Sequence, residues 1–230
     1  MRKQYDRSYV YLVTALLTEG TDPFCLSPAE AARLLEGAPW HRFAVLGDSL
    51  AAGTGDPSPG YAPLPWAERV AAALRSHHPD LAYRNTGTIG ATTGRTLAHQ
   101  ADGLLAFEPD LVHLSCGAND LWRPEPDFGA IEGNLRRLFA LSVDTGALLT
   151  TFTLGRAFTV PEFPAFPDRV RRLNALVRTI AAEHGALVIE MWDHPVNDRP
   201  DLLSADGIHF AGAGQAVMAA EVIRALAEVT

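Results

Sequence analysis

The sequence predicts an α/β protein built on a parallel sheet with helices on both faces. Two observations carry this. From Arg42 onward, short apolar runs alternate with longer segments of helical periodicity. The runs "FAVL" and "ALVIE" are apolar at nearly every position, as strands covered on both faces must be. A length of 230 residues suits one sizeable domain with at most a small appendage.

Residues 1–40 read as a helical extension packed on the body, and 41–230 as the main domain. Within the extension, "SPAEAARLLEG" carries its own punctuation: Ser27 as N-cap, Pro28 at the first helical position, Glu30 completing a capping box and Gly37 after the last apolar turn. The main domain opens with the strand "RFAVLG", which breaks at Ser49 into a loop of small residues. Then follow the helix "LPWAERVAAALRSH", the strand "LAYRNTG", a helix from about Thr93, the strand "DLVHLSCG" and the helix "FGAIEGNLRRLFALSVDTG". The strand "ALLTTFTL", a proline-rich loop, the helix "DRVRRLNALVRTIAAEHG", the strand "ALVIEMW" and a closing helix from Ala213 complete the chain.

Composition removes several functions. Nineteen Lys and Arg against 27 Asp and Glu leave a net charge of -8 and no basic run, so nucleic acid is not an expected partner. Cys25 and Cys116 alone give neither a disulfide framework nor metal-ligand spacing, and both read as reduced, buried thiols. The apolar stretch "YVYLVTALLTEG" is too short to span a bilayer and ends without a small-x-small cleavage site, so the expectation is a cytoplasmic protein with no membrane span. The sequence carries no signal for an oligomeric state.

In an open parallel sheet, ligands bind beyond the carboxyl ends of the strands, and four such ends carry reactive groups. The first has Ser49 in "GDSL". The second has Gly87 and Gly90 in "NTGTIGATT", and the third Asn119 and Asp120 in "GAND". Beyond the fifth lie Asp206 and His209 in "SADGIHF". These are the parts of acyl transfer: a hydroxyl, an imidazole to take its proton and a carboxylate to orient the imidazole. Ser49 N–H, Gly90 N–H and the Asn119 amide are natural donors to a tetrahedral oxyanion. Neither "LAAGTGD" nor "GTIGATTG" meets a phosphate-loop or dinucleotide pattern.

With these blocks in this order, the chain resembles an SGNH hydrolase of the GDSL esterase/lipase family, from about Arg42 to its C-terminus. The resemblance implies a three-layer α/β/α, flavodoxin-like fold, with Ser49 as nucleophile, His209 as base and Asp206 as its partner. It implies an oxyanion hole from Ser49, Gly90 and Asn119, a small-molecule ester as substrate, and neither metal nor organic cofactor. Relatives often carry a Gly-His pair soon after the catalytic histidine; here "GAGQ" places Gln215 in that region, which is expected to alter the start of the last helix. An acyltransferase would use the same triad, and a non-catalytic binding module would keep only the pocket.

Other residues compete for these roles. His77, His78 and His184 close helices and suit solvent beside the helix dipole. His113 alternates into a buried strand, and His194 in "WDHPVND" is the one rival base past the fifth strand. Asp48 and Asp120 read as local loop supports. Leu50, Leu121, Trp122, Phe158 and Phe163, with Phe166, are candidates to line an apolar substrate pocket.

Overall fold

Each apolar run from Arg42 onward finds its partners in one sheet. A computed structural model describes residues 17–160 and 163–230. Its strands are β1 (Arg42–Gly47), β2 (Ala82–Asn85), β3 (Leu111–Ser115), β4 (Leu148–Phe152) and β5 (Leu187–Ile189), all parallel in the order β2-β1-β3-β4-β5. The helices are α1 (Pro28–Leu34), α2 (Ser49–Ala52), α3 (Trp66–Arg75), α4 (Thr93–Phe107), α5 (Phe128–Val143), α6 (Phe166–His184) and α7 (Gly212–Ala227). Short 3₁₀ turns follow β3, at Ala118–Trp122, and β5, at Pro195–Asp198.

Strand alternation divides the core in two. Phe43 and Val45 face one cluster with Trp66, Val70 and Leu74 of α3 and Val217, Met218 and Val222 of α7. Ala44 and Leu46 face the other, with Leu104 of α4, Leu135 and Phe139 of α5 and Val170 and Leu173 of α6. The result is helix, sheet, helix: a three-layer α/β/α arrangement.

Strand order reverses at β1, whose successor β2 lies to one side and β3 to the other. Such a reversal opens a crevice at the carboxyl ends of the two neighbouring strands. Register sharpens this, since Gly47 pairs with Ser115 at the ends of β1 and β3. Beyond β2, Thr86 N donates to Val45 O and Thr88 N to Gly47 O, carrying the second loop alongside the first. Three loops therefore leave the sheet side by side.

The structure departs from the sequence reading in places. Ser49 opens the short helix α2 rather than a loop, because the Asp48 carboxylate accepts Leu50 N–H at 2.9 Å and caps it. The run "ALVIEMW" pairs only over Leu187–Ile189. Glu190 turns out to accept two hydrogen bonds from Arg178, and Met191 N and Trp192 N donate to Thr153 Oγ1 instead of a ladder.

Of the N-terminal segment, residues 1–16 and the helix expected there lie outside the described residues. Residues 17–26 form turns instead of helix, with Asp22 N donating to Thr18 O. Helix α1 has its capping box, Glu30 N donating to Ser27 Oγ and Ser27 N to the Glu30 carboxylate. Leu35 and Trp40 enter the same core cluster as α3 and α7. Arg199 reaches back to Asp22 and Tyr61, tying 17–40 to the far end of the chain.

Candidate active site

A cavity of ≈ 170 Å³ lies over the crevice, and Ser49, Gly90, Asn119 and His209 all line it. Its remaining walls are largely apolar, with Leu50, Ile89, Trp122, Phe158 and Phe166 prominent.

Ser49 is the first residue of α2. Gly47 before it has φ +139°, and a Cβ there would sit 1.8 Å from Ser115 O, so only glycine lets β1 pass this close to β3. Asp48 is buried, at 2% exposure. Burial pushes its carboxyl up to about 7, against the Leu50 N–H bond that favours its ionised form, with the Asp120 charge adding to the rise and His209 opposing it. Behind Ser49, Leu50 O accepts Trp66 Nε1–H at 2.8 Å, and Trp66 is fully buried against Phe152.

Gly90 has φ +74° and open space where a Cβ would be. Asn119 lies on the 3₁₀ turn after β3, and one of its amide hydrogens goes to Ala91 O at 3.0 Å, which leaves a second donor on the same nitrogen. Asp120 does not act locally, contrary to the sequence reading. Its carboxylate accepts Thr93 N–H at 2.8 Å and Thr93 Oγ1–H at 2.9 Å, at the start of α4.

His209 and Asp206 stand on the loop between β5 and α7. That loop is closed as a small antiparallel arch: Leu203 bridges Phe210, and Ser204 N donates to His209 O. Asp206 Oδ1 accepts the N–H groups of Ile208 and His209, and Oδ2 lies 2.6 Å from His209 Nδ1. Desolvation alone would raise the Asp206 pKa, but the bonds from the His209 ring and from these two N–H groups outweigh it and hold the carboxylate at about 2. It is thus ionised whenever the protein is near neutrality. Its charge favours the tautomer with the proton on Nδ1, which leaves the lone pair on Nε2.

Gln215 occupies a structural position. Its Oε1 accepts Trp66 N–H at 3.0 Å, capping α3, which has no side-chain cap of its own, while Nε2 donates to Thr54 O and Phe210 O. The departure from the family pattern thus ties α7, α3 and the His209 loop together.

Not every expected pocket residue is there. Leu121 is fully buried in the core beside α5 and α6. On a 3₁₀ turn, positions i and i+3 share a face, so Asn119 and Trp122 reach the cleft together and Leu121 turns away. Phe163 packs edge-on to Trp122 at 6.5 Å and under Arg169, outside the lining. Leu50, Trp122, Phe158 and Phe166 line the cleft, as do Ile89, Leu154, Val160 and Ile208, which the sequence reading passed over.

The rival histidines are used elsewhere. His194 accepts Val196 N–H and packs on Phe24. His77 and His78 are not simply solvated, since their Nε2 atoms meet Ala32 O and Ala38 O of the N-terminal segment. His113 is fully buried between Trp66 and Phe152, with Nδ1 on Thr150 Oγ1 and Nε2 without a partner among the described residues; burial pushes its pKa down to about 3, keeping it neutral. Cys25 and Cys116 are free thiols whose burial raises both pKa values, that of Cys25 to about 12. No cluster of metal-ligating side chains occurs among the described residues, and no helix among them is long and apolar enough to cross a membrane.

Comparison with known proteins shows which family the chain belongs to. The chain is 28% identical over 192 residues to an arylesterase of Vibrio mimicus, covering 81% of this chain and 84% of that protein. Its fold is shared with an acetylxylan esterase of Geobacillus stearothermophilus (TM-score 0.65, 21% identity, 81% of this chain and 94% of that one). It is shared equally with a lipase/acylhydrolase of Enterococcus faecalis (TM-score 0.64, 21% identity, 82% and 96%). The model of the GDSL-like lipase/acylhydrolase family matches residues 45–217, from within β1 to the middle of α7, and the chain belongs to this family of ester-hydrolysing enzymes.

Proposed function

We propose that this protein is a serine esterase that cleaves a small carboxylic ester through an acyl-enzyme on Ser49. The observation that carries the reading is the His209–Asp206 pair, 2.6 Å apart, bordering the same cavity as Ser49, Gly90 and Asn119. Ser49 Oγ bonds to the ester carbonyl carbon while His209 Nε2 takes its proton, and the charge that develops on the carbonyl oxygen is met by the N–H groups of Ser49, Gly90 and Asn119. One such donor is typically worth about 3 kcal/mol of transition-state stabilisation.

Collapse of the tetrahedral species breaks the bond to the alcohol oxygen, which leaves with the proton from His209. Water then attacks the acyl carbon as His209 takes its proton, and collapse breaks the bond to Ser49 Oγ, which receives that proton from His209 as the carboxylic acid leaves. The apolar walls suit an uncharged acyl or aryl group, and no Lys or Arg among the described residues borders the cavity.

The test is stoichiometric labelling by a fluorophosphonate and steady hydrolysis of p-nitrophenyl esters. Both should be lost in Ser49→Ala, with turnover falling roughly 10⁴-fold or more. Labelling of a different residue, or full turnover in Ser49→Ala, would remove the nucleophile assignment. Turnover that depends on an added alcohol, with release of a new ester in place of acid, would identify a transferase using the same residues.

A further inference from the structure

We infer that helix α4 is the brace that sets the oxyanion donors relative to one another, with Gln100 and Asp120 as its positioning residues. This rests on the esterase reading and extends it to residues that do not touch the substrate.

The three donors follow three strand ends, Ser49 at the start of α2, Gly90 in the loop after β2 and Asn119 on the 3₁₀ turn after β3, and α4 is bonded beside each. Gly90 lies three positions before its first residue, so the second loop is continuous with the helix. The third loop is clamped at the same end, where both oxygens of Asp120, the neighbour of Asn119, are taken by the N–H and hydroxyl of Thr93. Asn134 of α5 donates to that hydroxyl at 3.2 Å and fixes its direction.

The end of β1 is held two turns further on. Gln100 Oε1 accepts Gly47 N–H and Gln100 Nε2 donates to Gly47 O, both at 2.8 Å, so one side-chain amide grips both polar groups of the residue two before Ser49. The Thr86 hydroxyl lies 3.2 Å from both this Oε1 and Val45 O, so its one hydrogen is shared between the amide and β1. Thr93 and Gln100 are 0% and 5% exposed, so these bonds are sheltered from water.

An α-helix is stiff over the span from Thr93 to Gln100, so a common brace between three strand ends holds the segments that follow them as a fixed triangle. Oxyanion donors act only when preorganised, and a displacement of about 1 Å at a reacting centre costs on the order of 10²-fold in rate. Fixing the triangle is therefore a catalytic requirement as well as a folding one.

The experiment compares Asp120→Asn, Gln100→Met and the pair Thr93→Val and Thr93→Ser with wild type on a p-nitrophenyl ester. Active sites are counted by fluorophosphonate titration, and affinity for a boronic acid that mimics the tetrahedral adduct is measured. Per titrated site, kcat should fall roughly 10- to 100-fold in Asp120→Asn, Gln100→Met and Thr93→Val with KM within about twofold. Boronate affinity should weaken by the same factor, and Thr93→Ser should restore most of the loss seen in Thr93→Val.

A purely structural role predicts something else: lower melting temperatures and fewer titratable sites, with kcat per site and boronate affinity at wild-type values. That result would overturn the brace while leaving the nucleophile assignment intact. Full activity in Ser49→Ala would overturn both.

Discussion

The two sides of the cleft are built differently. Ser49, Gly90 and Asn119 hang from adjacent strands whose ends are in register, and their supports are buried: Asp48, Thr93 and Gln100 are at most 5% exposed. Opposite them, His209 and Asp206 stand on an arch beyond the sheet, with 20% and 45% of their side chains exposed. Donors to a developing charge gain from a dry, fixed setting, since any reorganisation is subtracted from their effect. In the mechanism proposed above, the base passes protons between serine, leaving group and water, and an imidazole near solvent, oriented by one ionised carboxylate, meets that need. Rigidity and access are thus divided between the two walls.

The largest predicted effect falls on the exposed wall. Asp206→Asn keeps an oxygen for the Ile208 and His209 N–H groups but presents an amide donor to His209 Nδ1. The ring must then accept at Nδ1 and carry its proton on Nε2, the wrong tautomer for taking the Ser49 proton. Turnover should fall roughly 10⁴-fold while the melting temperature stays close to wild type. A loss under tenfold would show that the carboxylate is not the orienting group.

The buried wall should respond through stability and pH instead. Asp48, at about 7 against an ordinary value of 3.8, holds its proton more tightly in the folded state than in the unfolded one. Its contribution is therefore fully present below pH 3.8 and is lost as pH rises through 7. Asp48→Asn retains the acceptor for Leu50 N–H but has no charge to bury. Its stability relative to wild type should grow from near zero at about pH 4 to on the order of 4 kcal/mol at about pH 9, rising by about 1.4 kcal/mol for each pH step between the unfolded and folded pKa values. Denaturant melts at the two pH values check this, and a constant difference between the proteins would refute it.

The same contrast explains what was legible in the sequence. Ser49, Gly90 and Asn119 announce themselves in small or turn-forming residues at strand ends, and Asp206 and His209 by their three-residue spacing in a turn-forming stretch; the four blocks in order make the signal. The supports of the buried wall do not. Gln100 meets Gly47 across 53 positions and Asp120 meets Thr93 across 27, and no local pattern encodes such pairs. A trace existed, since Thr96, Gln100 and Leu104 share one stripe of α4 and an amide on a core-facing stripe needs a partner. The direction of Leu121 depended on a 3₁₀ turn whose pitch the sequence did not declare. The length of β5 depended on Thr153 Oγ1 taking the N–H groups of Met191 and Trp192, and on Glu190 turning to Arg178 and to the Thr153 hydroxyl.

The smallest effect tests whether the exposed arch is held as well as it needs to be. Asp56, after α2, pins it three ways: its N–H donates to Ser204 Oγ at 2.8 Å, its carbonyl accepts Gly212 N–H, and its carboxylate accepts Ala205 N–H at 2.9 Å. Asp56→Ala removes only the last, next to Asp206 in sequence. A hydrogen bond to a charged acceptor is worth about 1.5–3 kcal/mol, and an exposed one sits at the low end, so the fold should lose little. In the proposed mechanism the arch carries the base, and loosening it should lower kcat roughly threefold to tenfold with KM nearly unchanged. Equal loss of kcat in Asp56→Ala and in the Gln100 and Asp120 variants would show that both walls need the same rigidity. A smaller loss in Asp56→Ala places the demand for precision on the opposite wall, where the buried Gln100 amide and the half-buried Asp120 carboxylate form the clamps.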